Sequence, residues 1–178
     1  NKNKQSYDAI GFVKPGGQAN QVLNHKNIDG ENLKSNDLLV ISCGTNDVSR
    51  NEAHLAIESI TRTLKKYNKT KIILIDLPNR FDLVEWSCVN NETRKTNATL
   101  KNICEQLDNV TLVEASKASR DLHTRHGMHL NRKGKIWLAD KICEAATSTV
   151  RDSSPSTPTT EELSIIEQST TVEITSSP

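Results

Sequence analysis

The feature that most restricts this fold is a repeated switch between compact apolar runs and apolar residues at helical spacing. Three runs stand out: Asp37-Leu-Leu-Val-Ile-Ser-Cys43, Lys71-Ile-Ile-Leu-Ile-Asp76 and Val110-Thr-Leu-Val-Glu114. Each is short and bounded by polar residues, the pattern of a parallel strand buried on both faces. Between and after them the period changes. From Asn51 to Tyr67, apolar residues fall at Ala53, Ala56, Ile57, Ile60, Leu64 and Tyr67. From Thr93 to Leu107 they fall at Leu100, Ile103, Cys104 and Leu107. Both predict amphipathic helices with one buried stripe. A last helix is predicted over Asn131–Thr147, capped by Asn131, with a face of Ile136, Leu138 or Ala139, Ile142, Cys143 and Ala146. Ahead of the first run, Tyr7–Val13 predicts a weaker strand ending at Lys14-Pro15-Gly16-Gly17, and Gln18–His25 a short helix.

Strands alternating with helices predict an α/β domain of three layers, a parallel sheet between helices. Ligands of such sheets bind beyond the carboxyl ends of the strands. The loops after Val13, Cys43, Ile75 and Val113 are therefore where function is sought.

Composition separates this patterned body, residues 1–147, from a tail over 148–178. The tail is mostly Ser, Thr, Pro and Glu. From Arg151 on it holds one basic and five acidic residues, so it carries −4 and the rest of the chain +5. Such a segment lacks the apolar surface to offset its ordering entropy, so a disordered tail is predicted. The same composition also suits a mucin-like stalk. Net charge is +1 overall, which makes no strong case for a nucleic-acid or membrane surface. No apolar run approaches the roughly 20 residues of a membrane span, so no membrane partner is expected. The amino terminus is polar and begins with Asn1, which we read as a processed chain or a fragment. Localisation stays open, with the cytoplasm favoured on the visible sequence.

The loops carry distinctive residues. Gly44-Thr45-Asn46-Asp47 follows the first run, and Arg125-His126-Gly127-Met128-His129-Leu130-Asn131 precedes the last helix. Gly44 allows a backbone path closed to other residues. Asn46 carries an amide able to donate hydrogen bonds into a cleft, and a backbone N–H near Gly16 or Gly17 is able to aim at the same point. Donors fixed where negative charge develops make an oxyanion hole. His129 is placed to act as a general base. Each part also has a plain reading: a turn with an Asx-type bond for residues 44–47, and a surface histidine before a helix. His126 and His129 stand three apart with no third ligand at a usual spacing, so no metal and no other cofactor is expected.

Leu39-Val-Ile-Ser-Cys-Gly-Thr-Asn-Asp47 resembles the Gly-x-Asn-Asp block of the SGNH (GDSL-like) hydrolase superfamily. His126-Gly-Met-His129-Leu-Asn-x-Lys-Gly134 resembles its terminal Asp-x-x-His block, and Pro15-Gly16-Gly17 its glycine block. The resemblance covers residues 7–147 and is nearest in flavour to SGNH-like domains of arthropod uncharacterised and retroelement-associated proteins. It implies a flavodoxin-like parallel sheet lacking its first strand, and an esterase-like Ser-His-Asp mechanism on ester-type small molecules. Carried over by position, His129 is the general base, Asn46 an oxyanion donor, and Gly16 or Gly17 the backbone donor.

Two departures oppose activity. The family's nucleophile follows a Gly-Asp pair. None of the seven glycines here begins Gly-Asp-Ser; their successors are Phe12, Gly17, Gln18, Glu31, Thr45, Met128 and Lys135. By the resemblance, the nucleophilic Ser lies upstream of this chain. His126 also stands where the family keeps the Asp that orients the base. Replacing that charge in a Ser-His-Asp triad costs on the order of 10⁴ in kcat. The chain as given is therefore expected to be inactive. The alternative is a non-catalytic module of the same fold that binds RNA or protein. Its motive is the basic cluster Arg120, His123, Arg125, His126, Arg132, Lys133 and Lys135, which is otherwise a solvated loop and helix end.

Cys43, Cys88, Cys104 and Cys143 are widely spaced and read as free thiols, three of them on apolar faces, with a disulfide through Cys88 left open. Glycosylation acceptors at Asn68, Asn91, Asn97 and Asn109 read as chance matches in an Asn- and Thr-rich chain.

Overall fold

A computed structural model describes residues 9–23, 28 and 33–151. The three compact runs become strands β1 (Leu38–Ile41), β2 (Lys71–Ile75) and β3 (Val110–Val113), joined in the order β1-β2-β3. Both pairings are parallel. The helices are α1 (Ala19–Leu23), α2 (Thr45–Ser49), α3 (Ala53–Lys66), α4 (Cys88–Cys104) and α5 (Arg132–Arg151), with 3-10 turns at Ala115–Lys117 and Arg120–Leu122. The result is the predicted α/β/α layering, built on a small open sheet.

Register sorts the strand residues between the two layers. Leu39 pairs with Ile72, and Ile72 with Val110; Ile41 pairs with Leu74, and Leu74 with Leu112. Alternate strand residues share a face. This set packs with Ala19 and Leu23 of α1, Ala56, Ile60 and Leu64 of α3, and Leu100 and Cys104 of α4. The opposite set, Ile73, Ile75 and Val113 with Leu38, packs with Leu138, Ile142, Ala145 and Ala146 of α5 and with Ala115 of the 3-10 turn that follows β3.

Four expectations change. No strand forms over residues 9–13 of the predicted Tyr7–Val13 strand; Tyr7 and Asp8 lie outside the described residues. Ile10 and Val13 are about 80% exposed, so nothing rewards an extended pairing there, and Gly11 weakens a strand further. The predicted helix at Thr93 starts earlier, at Cys88. Its cap is Ser87, whose hydroxyl accepts from the Asn90 N–H at 3.2 Å. On the last helix, Ile136, Ala139 and Cys143 face outward, and the inward stripe runs through Gly134, Leu138, Ile142 and Ala145. Gly134 fixes that rotation: a Cβ there would stand 2.1 Å from the Leu122 carbonyl oxygen. The helix also continues past Thr147 to Arg151. The disorder expected of the tail lies outside the described residues from 152 onward.

All four cysteines are free thiols, with Cys88 and Cys143 exposed. Two acceptor asparagines are committed to structure. Asn97 brackets Leu77, accepting from its N–H at 3.0 Å and donating to its carbonyl at 2.8 Å. Asn109 donates to the carbonyls of Tyr67 and Thr70. Among the described residues no helix is long and apolar enough to cross a membrane.

Candidate functional site

The Gly44–Asp47 segment is not only a turn. Gly44 sits at φ 108° and opens α2, so a left-handed residue lets the chain leave β1 and enter a helix at once. Within that helix, Asn46 and Asp47 reach back across nearly thirty residues. Asn46 Nδ2 donates to the Gly17 carbonyl at 2.9 Å. Asp47, 1% exposed, accepts from the Ala19 N–H at 2.9 Å and so caps α1 from outside. The Gln18 side-chain amide donates to the Glu52 carboxylate beside them. Two blocks distant in sequence are thereby bound together at the carboxyl edge of the sheet.

The glycine turn has a definite form. Gly17 N–H donates to the Lys14 carbonyl at 3.1 Å, with Pro15 and Gly16 between them and Gly16 at φ 68°. Pro followed by a left-handed Gly is the signature of a type II turn. The Gly17 N–H is therefore committed to the turn. The Gly16 N–H makes no hydrogen bond among the described residues, and the Asn46 amide keeps its second N–H. These two donors remain available to an anion.

The histidine loop is held separately. His123 and Leu130 form an antiparallel bridge, Thr124 N–H donates to the His129 carbonyl at 2.7 Å, and Gly127 N–H donates to the Thr124 carbonyl at 2.8 Å. Gly127, at φ 85°, lies against the 81–82 backbone, where a Cβ would stand 2.6 Å from the Phe81 carbonyl carbon. The Phe81 N–H donates to the Gly127 carbonyl at 3.1 Å. His126 and His129 are exposed, and neither ring makes a hydrogen bond among the described residues. Among the described residues no hydrogen bond links this loop to Asn46 or Gly17. His123 departs from the expectation of a surface basic residue. It is 4% exposed, its Nδ1 lies 3.0 Å from the Ser119 carbonyl, and its ring meets Phe81 edge-on at 4.7 Å. Its Nε2 is buried without a partner.

The loop after β2 adds residues that the sequence did not mark. Arg80 forks onto Asp82 with bonds of 2.7 and 2.6 Å, and its other nitrogen reaches Ser49 Oγ at 3.3 Å. The Arg80 hydrogen bond holds the Asp82 carboxyl below the usual range, and the charge of nearby His129 acts in the same direction. Asn90, buried in α4, fixes this loop by bonding the Arg80 N–H, the Arg80 carbonyl and the Val84 carbonyl. Asp76, at the end of β2, accepts from Ser116 N–H at 2.8 Å and Ser116 Oγ at 2.5 Å. Burial raises its carboxyl above the ordinary value despite those bonds.

Burial, reinforced by the charge of Asp47, pushes the Cys43 thiol up to about 12, so it stays protonated and is a poor nucleophile. Among the described residues no group of three or more His, Cys, Asp or Glu could hold a metal ion. Two shallow grooves, of about 310 Å³ beside β3 and about 410 Å³ on α5, are lined by none of Gly16, Gly17, Asn46, His126 or His129. Comparison with protein-family models, curated proteins and solved structures finds no match to this chain.

Proposed function

We propose that the body is an SGNH-type, esterase-like hydrolase domain whose nucleophilic serine is not on this chain, and that the chain by itself is inactive. In this reading His129 is the general base for an ester-type substrate, with Asn46 and Gly16 as the oxyanion donors. Gly17 serves the turn rather than the oxyanion. His126 occupies the place of the orienting carboxylate.

The observation that carries the reading is the clamp of Asn46 onto the glycine turn and of Asp47 onto the first N–H of α1. It gives both side chains of the Gly-x-Asn-Asp block a use that a simple turn does not require. The sheet edges add support. Among the described residues β1 pairs on one side only. A further parallel strand along its free edge would end beside Gly44, level with the glycine turn.

The test is labelling by a serine-directed fluorophosphonate. The 178-residue chain is expected to stay unlabelled. The polypeptide isolated from its source, with any residues joined ahead of Asn1, is expected to label and to lose labelling on His129→Ala. A folded source protein that never labels would sink the reading.

A further inference from the structure

The first turn of α5 is electrostatically unusual. Arg132, Lys133 and Lys135 lie in it or just beyond, and it holds no acidic residue. The N-terminal end of a helix carries partial positive charge, so cations there are unfavourable. Because Gly134 is buried against Leu122, the three cations fan out over the solvent side. Arg125 stands exposed in the preceding loop. None of the four makes an ion pair or side-chain hydrogen bond within the described residues. The neighbouring carboxylates offset them only in part. Asp82 is taken by Arg80. Asp121 accepts from Ser119 Oγ, and the Lys133 charge reaches it without a direct pair.

Exposed rings stand on the adjoining loop. The chain has six aromatic residues. Two of them, Phe81 at 37% and Trp86 at 77% exposed, lie on the loop between β2 and α4. That loop packs on the histidine loop through Phe81 and Gly127. Unpaired cations alone would suit any polyanion. Cations beside exposed rings suit unstacked bases on a phosphate backbone.

We propose that this end of the molecule binds single-stranded nucleic acid, with Arg125, Arg132, Lys133 and Lys135 on the phosphates and Trp86 and Phe81 stacking on bases. The surface does not depend on the hydrolase reading and stands whether or not an ester is cleaved.

The experiment is fluorescence anisotropy of a labelled oligouridylate against the whole chain over a salt series, with folding followed by circular dichroism. Four phosphate contacts on a single strand predict a slope of about −3 in log K against log salt. The doubly substituted Arg132→Ala/Lys133→Ala chain should bind more weakly, with the slope roughly halved. Trp86→Ala, at a site too exposed to disturb folding, should cost about tenfold in affinity with the slope unchanged. Lys65→Ala/Lys101→Ala, at the opposite edge of the sheet, should bind as the parent. A folded chain that shows no binding overturns the proposal, as does unaltered affinity in the Arg132/Lys133 variant. Binding that ignores Trp86→Ala, with heparin or phosphatidylserine vesicles bound equally well, also overturns it, because that pattern belongs to a generic polyanion contact.

Discussion

The two faces of the sheet are built from nearly the same kinds of residue and end in different states. On one face Ile72 and Leu74 lie under α1, α3 and α4, with Ile60, Leu64 and Leu100 fully buried above them. On the other, α5 is the one helix among the described residues that covers Ile73, Ile75 and Val113, helped by Ala115 of a 3-10 turn, and Val40 is left 42% exposed. The difference lies in how many helices are available to each face. A run such as Leu-Leu-Val-Ile is suited to burial on both sides, yet β1 is buried only where a helix reaches it. The covered face should thus respond steeply to loss of volume, and the outer part of the other face hardly at all.

The largest effect is expected at the closed face. Leu74→Ala removes a side chain with no exposure from between three helices. It should lower the free energy of unfolding by about 2–5 kcal/mol, read from urea denaturation. A loss under about 1 kcal/mol would mean that this face is looser than the packing indicates.

Next comes the attachment of α1, which closes one corner of that face. Five residues do not sustain a helix in water. The helix is held by packing on α3 and by the Asp47 carboxylate on its first N–H. Asp47→Ala leaves that buried N–H unsatisfied and should cost about 1–3 kcal/mol. Asp47→Asn keeps an acceptor and should cost less. Hydrogen exchange at Ala19 should quicken most in the alanine variant. Equal exchange in all three proteins would break the link between the motif and the helix.

Much of this architecture was legible, and the parts that were not share a cause. Compact runs gave β1, β2 and β3, and the spacing from Ala53 to Leu64 gave α3, because local pattern and burial agree there. The start of α4 was missed because Cys88–Glu92 is polar, although Ser87 before it is a capping residue. The outward turn of Ile136 and Cys143 was hidden because Gly134, pressed on Leu122, sets the rotation of α5. In the site, Asn46, Gly16, Gly17, His126 and His129 were picked out by residue type and order. The use of Asp47 as a distant cap, of Asp76 on Ser116 and of Arg80 on Asp82 and Ser49 was not. Most of those partners lie roughly thirty to forty residues away, where no periodicity points.

A smaller effect is expected at the end of β2, where the strand is tied to the turn after β3. Burial raises the Asp76 carboxyl, so the folded chain holds that proton more tightly than the unfolded chain. Stability from this group is therefore full at low pH. It declines as pH rises from the ordinary carboxylate range through the raised folded value. Asp76→Asn can still accept from the Ser116 N–H and should remove that part of the pH slope. Urea midpoints across the acid-to-neutral range would show it. An unchanged slope would assign the pH dependence to other carboxyls.

The smallest effect tests the open face itself. Val40→Thr keeps the β-branched shape and swaps a methyl group for a hydroxyl. At a strand position 42% exposed, that hydroxyl reaches water, and the change should stay within about 0.5 kcal/mol. Ile73→Thr, one strand inward on the same face and fully buried, should cost at least about 2 kcal/mol, because the hydroxyl loses water and volume is lost with it. The pair holds the face and the incoming residue constant and varies cover, with the methylene lost at Ile73 adding to the inner cost. Should Val40→Thr cost as much as Ile73→Thr in the isolated chain, Val40 is covered in solution. The contrast between the faces would then lie in what sits on them rather than in how many helices this chain supplies. The small loss expected is the one that keeps this part of the face open to solvent.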